Sequence, residues 1–217
     1  MSKVKGKQGA PAKKKCGSAR RRAQHEADPY VQRARAEGWR SRAALKLEAM
    51  DKRDGIFSPA GVVVDLGAAP GGWSQLALKR VGKAGAVIAI DCLEMEPISG
   101  VEFIQDDFTE QSGLQAVEQA LAGREVDVVL SDMAPNLSGH AAIDQPAAIY
   151  LAELAADFAR QRLSKTGCFL VKMFQGEGFD QFRAQLLRDF NKVITRKPEA
   201  SRSASRECYL LAREPVL

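Results

Sequence analysis

Apolar residues along this chain gather into short runs separated by stretches of helical periodicity. Runs that read as strands cover residues 61–66 (GVVVDL), 86–91 (AVIAID), 101–104 (VEFI), 126–131 (VDVVLS), 167–173 (GCFLVKM), 192–196 (KVITR) and 207–212 (ECYLLA). Helical spacing falls near 72–81, 111–122, 145–163 and 179–189, with a leading helix near 41–51. Strand, helix, strand repeated in this way predicts an α/β doubly wound chain: a mostly parallel sheet of seven strands covered on both faces. The last two strands break the alternation. Only residues 197–206 lie between them, whereas a parallel crossover takes about a dozen residues or more, usually with a helix. The final strand is therefore expected to run antiparallel, which brings its first residue, Glu207, to the rim where the parallel strands end.

That rim is where open α/β sheets bind ligands. The first strand leads into it through "VVVDLGAAPGGWSQLAL", residues 62–78, a turn of glycine, alanine and proline. Little side-chain bulk there lets a cofactor approach the backbone, and Gly71 is a candidate contact. The turn is not the G-x-G-x-x-G of nicotinamide enzymes, so pyrophosphate is not the expected guest. Acidic residues recur at neighbouring strand ends: Asp65, Asp91, and Asp106 with Asp107. An acid after the second strand can accept both hydroxyls of a ribose, which assigns Asp91 that role. Asp107, after the third, is placed to accept from the exocyclic amine of adenine. Together these residues describe a site for an adenosine without a phosphate clamp, and S-adenosyl-L-methionine fits it. Trp73 follows the glycines and either packs on the ligand or belongs to the core.

Composition narrows the classes. With 217 residues and 45% hydrophobic content the chain is sized for one domain with a real core. It has no apolar run of 18 residues, no apolar leader behind its lysine-rich start, four dispersed cysteines and two histidines. These features point to a cytoplasmic protein without membrane span, disulfide framework or metal centre. Charge is unevenly divided: residues 1–36 carry +9, and the remainder −4. Residues 1–36 are expected to form a basic, disordered tail suited to a phosphate backbone, and residues 37–217 the folded domain. Arg33, Arg35, Arg40, Arg42, Arg196, Lys197, Arg202 and Arg206 flank the expected rim in sequence and are further candidates for phosphate contacts.

"DLGAAPGGWSQ", "SDMAPNLSG", "VKMFQGEGFD" and "SRSASRECYL", in this order and spacing, resemble the FtsJ-type RNA 2′-O-ribose methyltransferases, over about Trp39 to Ala212. The resemblance implies a Rossmann-like methyltransferase sheet with an antiparallel last strand and S-adenosylmethionine as cofactor. It also implies a Lys-Asp-Lys-Glu tetrad, whose members fall on Lys46, Asp132, Lys172 and Glu207, with Asp132 also beside the cofactor. The substrate it implies is a uridine of large-subunit (23S) ribosomal RNA, presented on the assembled 50S particle; nothing in the sequence suggests an obligate oligomer, so a monomer is expected. Lys172 is the expected base or orienting group for the 2′-hydroxyl, Asp132 orients it, and Lys46 and Glu207 tune and position. A lysine of ordinary pKa, ~10.4, is almost wholly protonated at neutral pH, so a lysine base must be shifted down. Burial and a second lysine act in that direction, and the two carboxylates act against it. A transfer RNA substrate, a catalytically idle RNA-binding protein and a nicotinamide-dependent oxidoreductase are the competing readings.

Overall fold

The computed structural model describes residues 26–136, 138–201 and 205–216. The basic block before residue 26, and Arg202, lie outside the described residues. The chain begins with two helices, α1 (Pro29–Ala36) and α2 (Ala43–Asp54), and then alternates: β1 (Val62–Leu66), α3 (Gly72–Val81), β2 (Ala86–Asp91), β3 (Val101–Gln105), α4 (Gln111–Leu121), β4 (Val126–Ser131), α5 (Ala141–Arg162), β5 (Leu163–Phe174), α6 (Phe179–Asp189), β6 (Phe190–Arg196) and β7 (Glu207–Pro215).

All seven strands form one sheet in the order β3-β2-β1-β4-β5-β7-β6. Strands β1 to β5 pair in parallel, while β7 pairs antiparallel with both β5 and β6. The short 197–206 connection has the predicted consequence. In the register Lys172 lies opposite Tyr209, and Phe174 opposite Glu207. Strand order reverses at β1 and β4, which opens a crevice beyond their carboxyl ends.

Two apolar layers cover the sheet. Phe169, Val171 and Met173 of β5 join Phe182 and Leu186 of α6 and the small residues of α5 on one face. Cys168 and Leu170 join Leu47, Met50, Trp73, Leu76 and Tyr209 on the other. Because successive side chains of a strand point to opposite faces, Lys172 continues the second series and ends its apolar run on the α2/α3 side.

Two boundaries differ from the sequence reading. Residues 29–36 are helical and not part of a tail. Asp28 caps this helix, accepting a 3.0 Å hydrogen bond from the Tyr30 amide, and Pro29 supplies a first-turn residue. Its Ala34 packs with Leu45 of α2, so the packed body begins before residue 37. Helix α5 starts at Ala141, not 145, with Pro146 inside it. That proline removes one helical hydrogen bond near the amino end, and the loss masks the start of the periodic pattern.

The bare turn after β1 has a physical cause inside the protein. Gly67 has φ +76°, and a Cβ there would lie 2.8 Å from the Met133 Cγ and 3.0 Å from its Cα. The loop after β4 thus presses directly on the loop after β1. Gly67→Ala is expected to destabilise the fold by about 2 kcal/mol, through the left-handed backbone and this contact. A denaturant midpoint equal to wild type contradicts it.

Candidate active site

The four tetrad residues come from α2, the end of β4, β5 and the start of β7, and they meet as two ion pairs. Lys46 Nζ lies 2.5 Å from Glu207 Oε1. Lys172 Nζ lies 2.9 Å from Asp132 Oδ1. All four side chains are mostly withdrawn from solvent; Asp132, at 25% exposure, is the most accessible.

The first pair is held tightly. Glu207 Oε1 also accepts from the Tyr209 hydroxyl at 3.0 Å and from Ser201 Oγ at 3.1 Å. Burial pushes the Glu207 carboxyl up, but the Lys46 ammonium and the two hydroxyl donors outweigh it and hold the carboxyl below its ordinary value. Glu207 therefore stays ionised. Burial, followed by the charges of Asp132 and Glu207, raises the Tyr209 phenol well above its ordinary value. Tyr209 is a fixed donor, and its ring also packs against Trp73 at 5.8 Å between centroids.

The second pair is less complete. The Lys172 ammonium donates its hydrogen bond to the Asp132 carbonyl oxygen, and Asp132 Oδ1 is buried without a hydrogen-bond donor. An ionic neighbour at 2.9 Å makes Oδ1 the group that holds the Lys172 nitrogen in place at the rim.

Asp132 also lines a cavity of about 430 Å³ beyond the ends of β1 to β4, together with Gly67, Ala69, Asp91, Asp106, Asp107 and residues around them. The Asp91 carboxylate is fixed by backbone amides, Ala69 at 2.9 Å and Leu93 at 2.8 Å. Asp107 is held by the Thr109 amide and hydroxyl, at 2.9 and 2.7 Å. Among the described residues, the lining contains four aspartates and no lysine or arginine. Such a cavity favours a ligand carrying positive charge and hydroxyl or amine donors, and it disfavours pyrophosphate.

Several expectations require correction. The Trp73 side chain does not reach the cavity: it is 2% exposed, and its indole N–H donates to the Ala43 carbonyl at 2.9 Å. Helix α3 turns this residue toward α2, so it belongs to the core. Gly71 does not line the cavity either; a Cβ there would meet Met95 Sδ and Ile98 Cδ1 at 2.8 Å. The bareness of the turn serves close packing of neighbouring loops, and only Gly67 and Ala69 face the cavity. Asp65 is fully buried beneath the turn, not at the rim, with Ser74 Oγ donating to it at 2.6 Å.

Several basic candidates also have work inside the protein. The Arg40 guanidinium bonds the carbonyls of Pro70, Glu96 and Pro97. Arg42 pairs with Asp28, and Arg196 grips Asp54 with two nitrogens. These three tie loops and helices together and are not a surface array for phosphates. Sequence reasoning missed Tyr209 and Ser201. Tyr209 was within reach of it, since it lies two positions beyond Glu207 on the same strand face; Ser201 comes from an irregular loop with no periodic signal.

Among the described residues there is no cluster of His, Cys, Asp and Glu able to hold a metal ion, and no helix is long and apolar enough to cross a membrane. Comparison with known proteins gives the family and the fold. Residues 39–215 match the model of a family described as FtsJ-like methyltransferase. A Halorhodospira halophila protein named ribosomal RNA large subunit methyltransferase E is 68% identical over 202 residues, covering 93% of this chain and 95% of the relative. A protein of the same name from Alkalilimnicola ehrlichii is 58% identical, covering 93% and 96%. Among solved structures, a Plasmodium falciparum protein assigned as a ribosomal RNA methyltransferase superposes with a TM-score of 0.72 at 29% identity, covering 82% of this chain and 98% of that one. A Streptococcus mutans protein assigned as a methyltransferase and solved with S-adenosylhomocysteine shares the fold, at a TM-score of 0.50 and 14% identity over 79% and 95% of the two chains.

Proposed function

The chain belongs to the FtsJ-like methyltransferase family, and on that premise we propose that it transfers a methyl group to the ribose 2′-hydroxyl of a uridine in large-subunit (23S) ribosomal RNA. The enzyme acts as a monomer in the cytoplasm on the assembled 50S particle. The observation that carries this reading is a shared residue: Asp132 lines the acidic cavity and also pairs with Lys172 at 2.9 Å. Donor site and proton acceptor are thereby contiguous. The relatives named above are called ribosomal RNA large subunit methyltransferases, the broader activity within which this reading falls.

The cavity fits S-adenosylmethionine by the chemistry of its lining. Asp91 would hold the ribose hydroxyls, Asp107 the adenine amine, and the acidic surface as a whole suits a cationic ligand. When bound, S-adenosylmethionine supplies the electrophilic methyl group. Lys172, as the neutral amine once its ammonium has released a proton to solvent, receives the incoming 2′-hydroxyl and takes its proton at Nζ as the oxygen attacks. Asp132 Oδ1, 2.9 Å from that nitrogen, holds it in place and so fixes the direction of the hydroxyl. Lys46 and Glu207, locked with Tyr209 and Ser201, hold the start of β7 against β5 and so position Lys172 across the strand pair.

The experiment is transfer of a tritiated methyl group to 50S particles from cells lacking the protein, followed by mapping of the modified nucleotide. A 2′-O-methyluridine in 23S RNA is expected; label found only in transfer RNA, or none in RNA, overturns the reading. A second measurement tests the donor site. Asp91→Asn is expected to weaken S-adenosylmethionine binding roughly 10- to 100-fold, the loss of charged hydrogen bonds to the ribose. Calorimetric affinity unchanged from wild type removes Asp91 from that role.

A further inference from the structure

We propose that a second cavity, of about 230 Å³ between α5 and the loop after β5, receives an unstacked guanine of the RNA, adjacent to the methylated nucleotide. The proposal rests on the RNA-methylation reading above. Its walls include Gln145, Pro146, Ile149, Tyr150, Glu177 and Gly178, none of which belongs to the donor cavity or the tetrad.

Position is the first argument. The strand that carries Lys172 ends at Phe174, whose carbonyl accepts a 2.9 Å hydrogen bond from the Gln145 side-chain amide. The cavity is thus anchored two residues beyond the proposed proton acceptor, at the same rim. An RNA strand with its ribose at Lys172 must lay neighbouring nucleotides nearby. The cavity is also built into the fold: Gly178 has φ +80°, and any Cβ there would lie 2.1 Å from Ile149 Cδ1, so loop and helix are fitted to each other.

Surface chemistry is the second argument. Tyr150 is 54% exposed and Ile143, two turns earlier on α5, is 62% exposed. An uncovered aromatic ring at a rim that RNA must cross is a stacking platform, the usual means of capturing a splayed base.

Charge selects the base. Glu153 and Glu177 line the cavity, and among the described residues no lysine or arginine does. Phosphate is excluded by repulsion, so the occupant is a base and not the backbone. Carboxylates accept only. Guanine presents adjacent N1–H and N2–H donors that match the two oxygens of a carboxylate, whereas uracil offers a single imide N–H, and adenine and cytosine an amine beside an acceptor.

Steady-state kinetics on unmethylated 50S particles test this. Tyr150→Ala is expected to raise KM for the particle roughly 5- to 100-fold, the loss of one base stack, with kcat and S-adenosylmethionine affinity unchanged; Tyr150→Phe restores KM. Glu177→Gln also raises KM. If Glu177 instead faced a phosphate, the neutral variant would lower KM. Replacing guanine beside the methylated uridine by adenine should reproduce the Glu177→Gln defect and add nothing to it in that variant. Wild-type transfer with an unaltered KM for Tyr150→Ala, a lowered KM for Glu177→Gln, or indifference to the neighbouring base overturns the guanine site alone. Failure of the wild-type protein to methylate the particle overturns this proposal and the RNA-methylation reading together.

Discussion

Replacing Lys172 by alanine is expected to lower methyl transfer by about 10²–10⁴-fold, the range for removal of a positioned general base, while S-adenosylmethionine still binds. The two halves of this expectation come from separate geometry. Lys172 Nζ contacts Asp132 through both its carboxylate and its carbonyl, so its loss removes the proposed proton acceptor. Yet Lys172 does not line the donor cavity, and the aspartates that do are held by other partners. Removing the lysine leaves the Asp132 carboxylate uncompensated, which does not oppose a cationic donor. Lys172→Arg separates two roles: a guanidinium keeps the charge and the contact to Asp132 but is not deprotonated in proteins. If Lys172 accepts the proton, arginine is as inactive as alanine; if it only orients by charge, arginine retains much of the rate. Single-turnover transfer of labelled methyl, with donor affinity measured by calorimetry, reads both. Near-normal transfer in Lys172→Ala removes this lysine from the chemistry.

The sheet was legible because its strands are short apolar runs with helical spacing between them, a pattern that local physics determines. Even the reversal of β7 followed from the length of one connection. Resemblance proposed the tetrad positions, and strand logic agreed that Asp132, Lys172 and Glu207 fall near strand ends on one rim, where the structure brings them together as ion pairs with Lys46. What remained hidden was direction. The sequence around Trp73 is compatible with an indole facing a crevice or facing α2, and only the placement of α2 decides between them through the Ala43 carbonyl. The glycines of the turn carry the same ambiguity: bareness signals close approach, but not whether a ligand or Met133 approaches. Arginine charge counted along the chain was equally blind to pairing, because Arg40, Arg42 and Arg196 find their acceptors 14 to 142 residues away.

Asp65 gives the largest expected stability effect. Its carboxyl is fully buried, one oxygen has no hydrogen-bond partner among the described residues, and Ser74 supports the other. Burial, opposed by Ser74 and reinforced by the charges of Asp132 and Asp91, pushes it up from 3.8 to about 7. The folded protein therefore keeps a proton that the unfolded chain has already released. Below pH ~4 both states are protonated and the full stability is present; as pH rises from there to 7, stability falls by about 1.4 kcal/mol per unit, and the loss is complete above it, at about 4 kcal/mol. Asparagine at this position cannot ionise, so its stability lacks that slope. Its amide places a donor at the unpartnered oxygen site, a cost of about 1–3 kcal/mol that does not vary with pH. The two proteins are thus expected to cross: wild type is the more stable at pH 4, and Asp65→Asn the more stable at pH 8. Urea unfolding of both at pH 4, 5, 6, 7 and 8 measures the difference, in which titrating groups not coupled to Asp65 cancel. A difference that stays constant across that range shows that Asp65 ionises in the folded protein as freely as in the unfolded chain, and that the carboxyl beneath the turn is not held neutral by its burial.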